Sequence, residues 1–273
     1  MVANIMLKEI KKEINFALYS IKKNIQGSAE LRTSFLMNII GMAINNLAFI
    51  FLWIYFIKAV GIIGGWTAID IVGLQGFLAI SYGIVFSGAA GLRRLPECVT
   101  SGSFDRFMIS PKSLILRIAT STFGTSALGD LIFGIICLIV YAFLIHISFY
   151  QIIFLLILLL LSSIIFLSTT ILIGSISFLF TDSRSVYDGV FELFFTPALF
   201  HGGAFQGVMR FIYTFIIPSL LVGTIPVETL KEASVSKLFL LLILTVFWLT
   251  LSIFVFRHSV KKYESSNFMT FGN

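Results

Sequence analysis

Five side chains are polar where their surroundings are apolar. Asn45 and Asn46 fall midway along one apolar run, Asp130 lies in another, and Asp188 and Glu192, one helical turn apart, lie in a third. An amide or acid in hydrocarbon is costly, so such groups face a cavity, a neighbouring helix or the membrane surface. Asp188 reads as the solvated end of its run. Glu192, one turn deeper, reads as a cavity or inter-helix residue. Acids placed this way could pass protons along a pathway, but no basic partner lies deep in any apolar run. Asn45, Asn46, Asp130 and Glu192 are the candidates for lining a path.

A second set works through shape. Gly73, Gly76, Gly83, Ser87 and Gly91 recur on roughly one helical face. Small residues let helix backbones approach closely in lipid, where dispersion rather than hydrophobicity drives association. Such a stripe serves either packing within the chain or a gate or dimer contact that slides. Gly83 and Ser87 are the gate candidates. Further on, Pro197 and the pair Gly202–Gly203 weaken a helix at one place. In membranes such breaks persist where neighbours or a cavity satisfy the freed backbone groups. Pro197 is therefore a candidate as well.

A third set is a charged island, residues 92–117, between two long apolar runs. It holds Arg93, Arg94, Glu97, Asp105, Arg106, Lys112 and Arg117. A helix from about 93 to 100 would end at Gly102, and Pro111 would stop the next turn. Mixed charge beside Phe104 and Phe107 offers specificity and apolar anchors to a soluble partner. The docking candidates are Arg93, Arg94, Glu97, Phe104, Asp105 and Arg106. The plainer reading is basic anchoring at a membrane surface.

Catalytic signatures are absent. There is no G-x-x-x-x-G-K-[ST], no HExxH and no GxSxG. His146, His201 and His258 are far apart, and Cys98 and Cys137 have no metal-ligand spacing. No bound metal or cofactor is expected, and the thiols read as buried or reduced.

These residues sit on a chain of 273 residues, 58% hydrophobic and 12% charged. A soluble domain carries about 25% charged residues. Apolar runs longer than about 18 residues recur, each enough to cross a hydrocarbon core of about 30 Å as a helix. The expected architecture is a single all-α polytopic membrane domain over 1–273. Six spans are predicted near 33–59, 69–91, 120–146, 152–180, 186–206 and 237–256. Residues 3–26 form an amphipathic helix ahead of them. Leu7, Ile10, Ile14, Ala17, Leu18, Ile21 and Ile25 share one face, and Lys8, Lys11, Lys12, Lys22 and Lys23 share the other. That pattern suits a helix lying in the headgroup plane. The same lysines argue against a secretory leader.

The charges orient the spans. With the N-terminus inside, one side holds Lys8, Lys11, Lys12, Lys22, Lys23, Arg32, Arg93, Arg94, Arg106, Lys112, Arg117, Arg184, Arg257, Lys261 and Lys262. The other holds Lys58, Arg210, Lys231 and Lys237. Fifteen of 19 basic residues on one side is a positive-inside signal, so both termini are expected in the cytoplasm of a cell membrane. The basic excess therefore reads as topology, not nucleic-acid binding. Residues 208–226 are apolar but short, and Pro218 interrupts them. They are expected to form a re-entrant or interfacial segment packed on protein.

The segment Gly102-x-Phe104-Asp105-x5-Pro111 resembles the G-x-[L/F]-[D/E]…P stretch of ABC-2 type transporter permeases. The run Phe195-x-Pro197…Phe200-x-Gly202, followed by Pro218 and Pro226, is similar to the late part of that family, in its smaller bacterial branch of permeases. The resemblance spans nearly the whole chain. It implies an N-terminal interfacial helix, six spans, a coupling helix at 92–101 and re-entrant helices before the last span. It also implies a separate ATPase subunit that carries ATP and Mg, and a second permease, identical or related. The implied activity is ATP-driven export. A largely apolar interior points to a lipophilic compound, peptide or lipid as cargo. The alternative from a different class is an ATP-independent ion-coupled carrier or channel, for which Asp130 or Glu192 would be essential. No inverted repeat with two broken helices is evident, which counts against it.

Overall fold

The computed structural model describes residues 2–62, 64–180 and 182–263. Side chains are described for these except at 2–7, 57 and 60, so the side chain of Leu7 on the predicted apolar face lies outside the description. Among the described residues there is no strand. Among the same residues five helices are long and apolar enough to cross a membrane. They are α2 (Arg32–Val60), α3 (Ala68–Gly88), α7 (Ala127–Leu144), α8 (Phe149–Ser175) and α12 (Val235–Val260). The protein is a polytopic helical membrane protein.

Helix α1 (Val2–Ala29) precedes them and turns into α2 at residues 30–31. Its apolar residues Ile10, Ile14 and Leu18 are exposed on the single chain. On the polar face, Lys12 donates to Glu9 at 2.9 Å and holds that carboxyl below the usual carboxylate range.

Small residues decide which spans form the core. A Cβ on Gly73 would meet the Tyr141 ring at 2.8 Å, one on Gly76 the Leu138 side chain at 2.6 Å, and one on Gly83 Leu131 at 2.6 Å. From the other side, a Cβ on Gly134 would meet Ile80 at 2.7 Å. The stripe thus seats α3 against α7, where the two backbones approach closely. Gly83 is a packing residue within the chain, and Ser87 Oγ donates to its own helix, at Ile84 O. Helix α12 packs on α8, and α2 leans on α7.

Residues 89–126 form an irregular segment at one end of the bundle. A 3-10 turn (Ala90–Arg94) leads into α4 (Leu95–Thr100), then α5 (Asp105–Met108) and α6 (Leu114–Ala119). Gly102 has φ +70, a left-handed conformation that side chains rarely adopt, so it ends α4. Helix α1 lies beside this segment. Ser20 Oγ and Asn24 Nδ2 both donate to Thr120 O, at 2.7 and 2.8 Å, and Lys112 pairs with Glu13 at 3.8 Å. The α-helix that follows α8 starts at the same end, where its first residue, Ser183, donates from Oγ to Pro96 O at 3.5 Å.

Two predicted boundaries move. The span expected from 120 begins instead at Ala127. Thr120 and Ser121 turn their hydroxyls back onto Leu116 O and Ile118 O, and Thr120 O is taken by α1, so the chain turns there before α7 starts. The span expected at 186–206 is α9 (Ser183–Ala198), 16 residues long, with Pro197 in its last turn. At about 1.5 Å per residue it is shorter than the ~30 Å core. Its continuation reaches the opposite end, where His201 packs on Trp53 and Trp66. There Gly203 and Gly64 backbones nearly touch, a Cβ on Gly64 falling 2.7 Å from Gly203 Cα.

The stretch after it folds as α10 (Gly207–Phe211), a π-helical turn (Ile212–Ile216), a tight bend and α11 (Thr224–Glu232). Neither arm is long enough to span a bilayer. Residues 218–227 are fully buried, and α11 packs on α3, α8 and α12. The bend is closed by Leu220 N–H to Tyr213 O at 3.0 Å and Ile225 N–H to Leu220 O at 2.8 Å, so its backbone is satisfied inside protein.

Candidate functional site

Between α2, α3, α7 and α9 lies a cavity of about 280 Å³. Its polar lining comes from Asn45 and Asn46 on α2, Gln75 and Tyr82 on α3, and Asp130 on α7. Met42, Phe49, Leu78, Phe195 and Leu199 supply much of the apolar wall. Three residues singled out by their sequence setting therefore meet here, 84 positions apart in the case of Asn46 and Asp130. Asn46 Nδ2 donates to Asp130 Oδ1 at 2.7 Å. Asp130 Oδ2 and Gln75 Nε2 are buried without a hydrogen-bond partner in the protein. Gln75 was missed, although a polar group mid-run is the same signal that flagged Asp130. Tyr82 gave no such signal, because a tyrosine in an apolar helix is unremarkable.

Glu192 does not line this cavity. It is exposed on α9 and accepts from Thr196 Oγ1 at 2.9 Å. Pro197 is buried at the end of α9, two residues before the cavity residue Leu199. Asp188 accepts from Arg184 at 2.7 Å at the charged end of that helix, as a span-end acid would.

The segment at 89–126 abuts the cavity. Arg93 donates to the Tyr82 hydroxyl at 3.1 Å and lies over the rings of Phe86 and Phe191, 5.8 and 5.9 Å from their centroids. Its guanidinium is thus turned toward α3 and α9. Glu97 pairs with Arg94 at 3.6 Å and with Arg184 of α9 at 2.6 Å. These pairs are half exposed, so each contributes at most about 1 kcal/mol; their interest is connectivity.

Phe104 is fully buried, so it is not the surface anchor expected from the sequence. Its ring packs on Phe178 at 5.0 Å and on Tyr263 at 4.7 Å. An aromatic after a tight glycine turn is drawn inward because it holds the loop against the bundle. Phe107 is buried too, beneath Arg106 and Arg117, with Arg117 donating to Phe107 O and Arg106 O. The apolar side chains this segment does present are Met108 and Ile109, the latter 86% exposed. Arg94 and Arg106 of the same segment are exposed as well, and Asp105 is half-buried. Met108 and Ile109 carry no motif, which is why the sequence did not single them out.

Among the described residues no cluster of histidine, cysteine or acidic side chains is placed to hold a metal. Cys98 and Cys137 are free thiols. The fold and site together define a membrane-embedded helical bundle with a polar-lined internal cavity and a charged segment braced against it, an arrangement for transport. Residues 43–267 match the family described as ABC-2 family transporter protein, and the chain belongs to that family. It is therefore a membrane transport subunit of the kind that works with an ABC ATPase. No curated protein matches the chain significantly.

Proposed function

We propose that this chain is the permease subunit of an ATP-driven exporter. Two permeases form the transport unit, and a separate ATPase binds ATP and Mg. Residues 92–101 serve as the coupling element. The observation that carries this reading is the bond from Arg93 to Tyr82: a residue of the charged segment holds a residue of the cavity wall. Force on the segment reaches the cavity by that link, and reaches α9 by the Glu97–Arg184 pair.

The ATPase contact is supplied by the exposed Arg94, Arg106, Met108 and Ile109, while Arg93 and Phe104 transmit and position. Helix α1 lies at the membrane surface and is tied to the same segment through Glu13, Ser20 and Asn24. It continues into α2, so the two act as a lever on one cavity wall. The chain crosses six times, α9 and its continuation making the fifth crossing, and 207–232 is re-entrant. Its support is the burial of 218–227 and the contact of both ends of the α9 region with opposite ends of the bundle. Both termini face the cytoplasm of a cell membrane, in line with the basic residues gathered beside α1 and α4–α6. The cargo is a lipophilic compound, peptide or lipid.

Purification of the tagged chain from its native membrane in mild detergent tests this. A stoichiometric P-loop ATPase is expected, lost when Arg94 and Arg106 are both changed to Glu. Repeated recovery without an ATPase, or full ATPase binding and transport by the double variant, would overturn the docking assignment.

A further inference from the structure

The cavity has one acid and no cation. Among the described residues its lining includes no Lys, Arg or His. The cation closest in connection, Arg93, is committed to Tyr82. Asp130 is 4% exposed, with one oxygen held by Asn46 and the other unpartnered. Gln75, 5% exposed, has an unpartnered donor on the facing helix. Buried charges in proteins are paired, and a site with an unpaired acid discriminates strongly for a ligand that pairs it. The rest of the wall is aromatic and aliphatic, which suits an apolar body, and the cavity of about 280 Å³ admits the head of an amphiphile rather than a whole lipid.

We infer that the cavity binds a lipophilic molecule carrying a protonated amine, with Asp130 as its counter-ion and Gln75 donating to an acceptor group on the same molecule. The inference rests on the reading of this cavity as the transport path and narrows the cargo to one chemical class. Asn46 acts as a positioning residue: its bond takes Oδ1 and leaves Oδ2 without a partner in the protein. The amine can belong to a free amphiphile or to an aminophospholipid headgroup, because both present the same N–H donors.

Dansylcadaverine joins an apolar ring and a sulfonamide acceptor, across a five-methylene chain, to a primary amine, and in its N-acetyl derivative a neutral amide replaces the charged amine. Both are titrated, by fluorescence, against the full chain with any co-purified ATPase in phosphatidylcholine nanodiscs, with empty nanodiscs as background. The amine is expected to bind at least tenfold tighter than the acetylated probe. Asp130→Asn is expected to remove that advantage while changing binding of the acetylated probe less than twofold, and Asp130→Glu to restore part of it. Competition by added phosphatidylethanolamine would mark the lipid as the natural source, and its absence a free amphiphile. Equal binding of the two probes, or undiminished amine binding by Asp130→Asn, overturns the inference. If Asp130→Asn does not fold, the contrast between probes on the wild-type chain decides alone. The outcomes separate from those of the transport reading. Charge-selective binding without any effect on ATP hydrolysis keeps the site and removes the permease role. ATP-coupled transport of other cargo without amine binding does the reverse.

Discussion

Helices α2 and α3 are both long apolar spans, yet the protein treats them oppositely. In α3, 83% of the best 18-residue stretch is buried inside the chain, and in α2 only 11% is. Apolarity does not separate them. What separates them is how far the close contact extends: α3 meets α7 at Gly73, Gly76 and Gly83 along its length, whereas α2 meets α7 closely at Gly129, whose Cβ would fall 2.4 Å from Ile39 O, and turns Leu36, Met37, Ile40, Ile44 and Phe51 outward. In lipid an apolar side chain gains little by leaving hydrocarbon for protein, so close backbone approach decides which helices form the fixed core. The cavity lies between these two unlike walls: α3 and α7 form the extensively packed side, and α2, continuous with α1, forms the side that is mostly exposed on the single chain and held to α7 near Gly129.

The largest expected effects probe that contrast directly. Gly76→Leu or Gly83→Leu inserts a side chain where a Cβ alone would meet α7 atoms at 2.6 Å. Overpacking of this kind costs about 1–3 kcal/mol or more, so a much lower yield of folded protein and a drop in thermal stability are expected. Gly41→Leu on α2, with nothing within 4 Å of its Cβ, should stay within about 0.5 kcal/mol of wild type in the same melting assay. If all three behaved alike, the division into fixed and loose walls would fail.

Next in its effect on the global melting point is Phe104→Ala. A buried phenylalanine truncated to alanine costs about 3–5 kcal/mol in soluble cores, here spent on loosening the charged segment from Phe178 and Tyr263. The global melting point should fall by less than for Gly83→Leu, because the segment sits at the edge of the bundle, and ATPase association should weaken. Tyr82→Phe is smaller still in stability, within about 1.5 kcal/mol, since it removes one hydroxyl. Its signature should be functional: the variant binds the ATPase and hydrolyses ATP, but transport per ATP falls. Unchanged coupling would remove the Arg93–Tyr82 link from the account. Glu97→Gln should be the mildest, with a stability change below about 1 kcal/mol that disappears at high salt.

The spans on either side of this comparison were legible because hydropathy and length suffice for α2, α3, α8 and α12. The amphipathic pattern of α1 was equally plain, as was the stop at Gly102. The boundary of α7 was not. The carbonyl of Thr120, where the preceding helix ends, is held by Ser20 and Asn24 of α1, about 100 residues earlier, which no local pattern records. Burial of Phe104 was hidden for the same reason, since its partners lie beyond residue 170. Of the candidate site, Asn45, Asn46 and Asp130 were found by being polar in the wrong place, and Gln75 would have been found by the same test. Glu192 met that test and faces elsewhere, because polarity in a span marks a polar neighbourhood without saying on which face of the helix it lies.

The central claim is that α2 moves against a fixed α3–α7 pair when the charged segment is driven. Hydrogen–deuterium exchange of the purified complex in nanodiscs tests it without any substitution, comparing peptides within 36–52 and 71–86 with and without trapped nucleotide. The expected result is faster exchange in the α2 peptide at rest, by at least about tenfold, corresponding to about 1.4 kcal/mol easier opening, with nucleotide changing α2 and leaving α3 as it was. Equal protection of the two helices at rest, or a nucleotide response confined to α3, would contradict it.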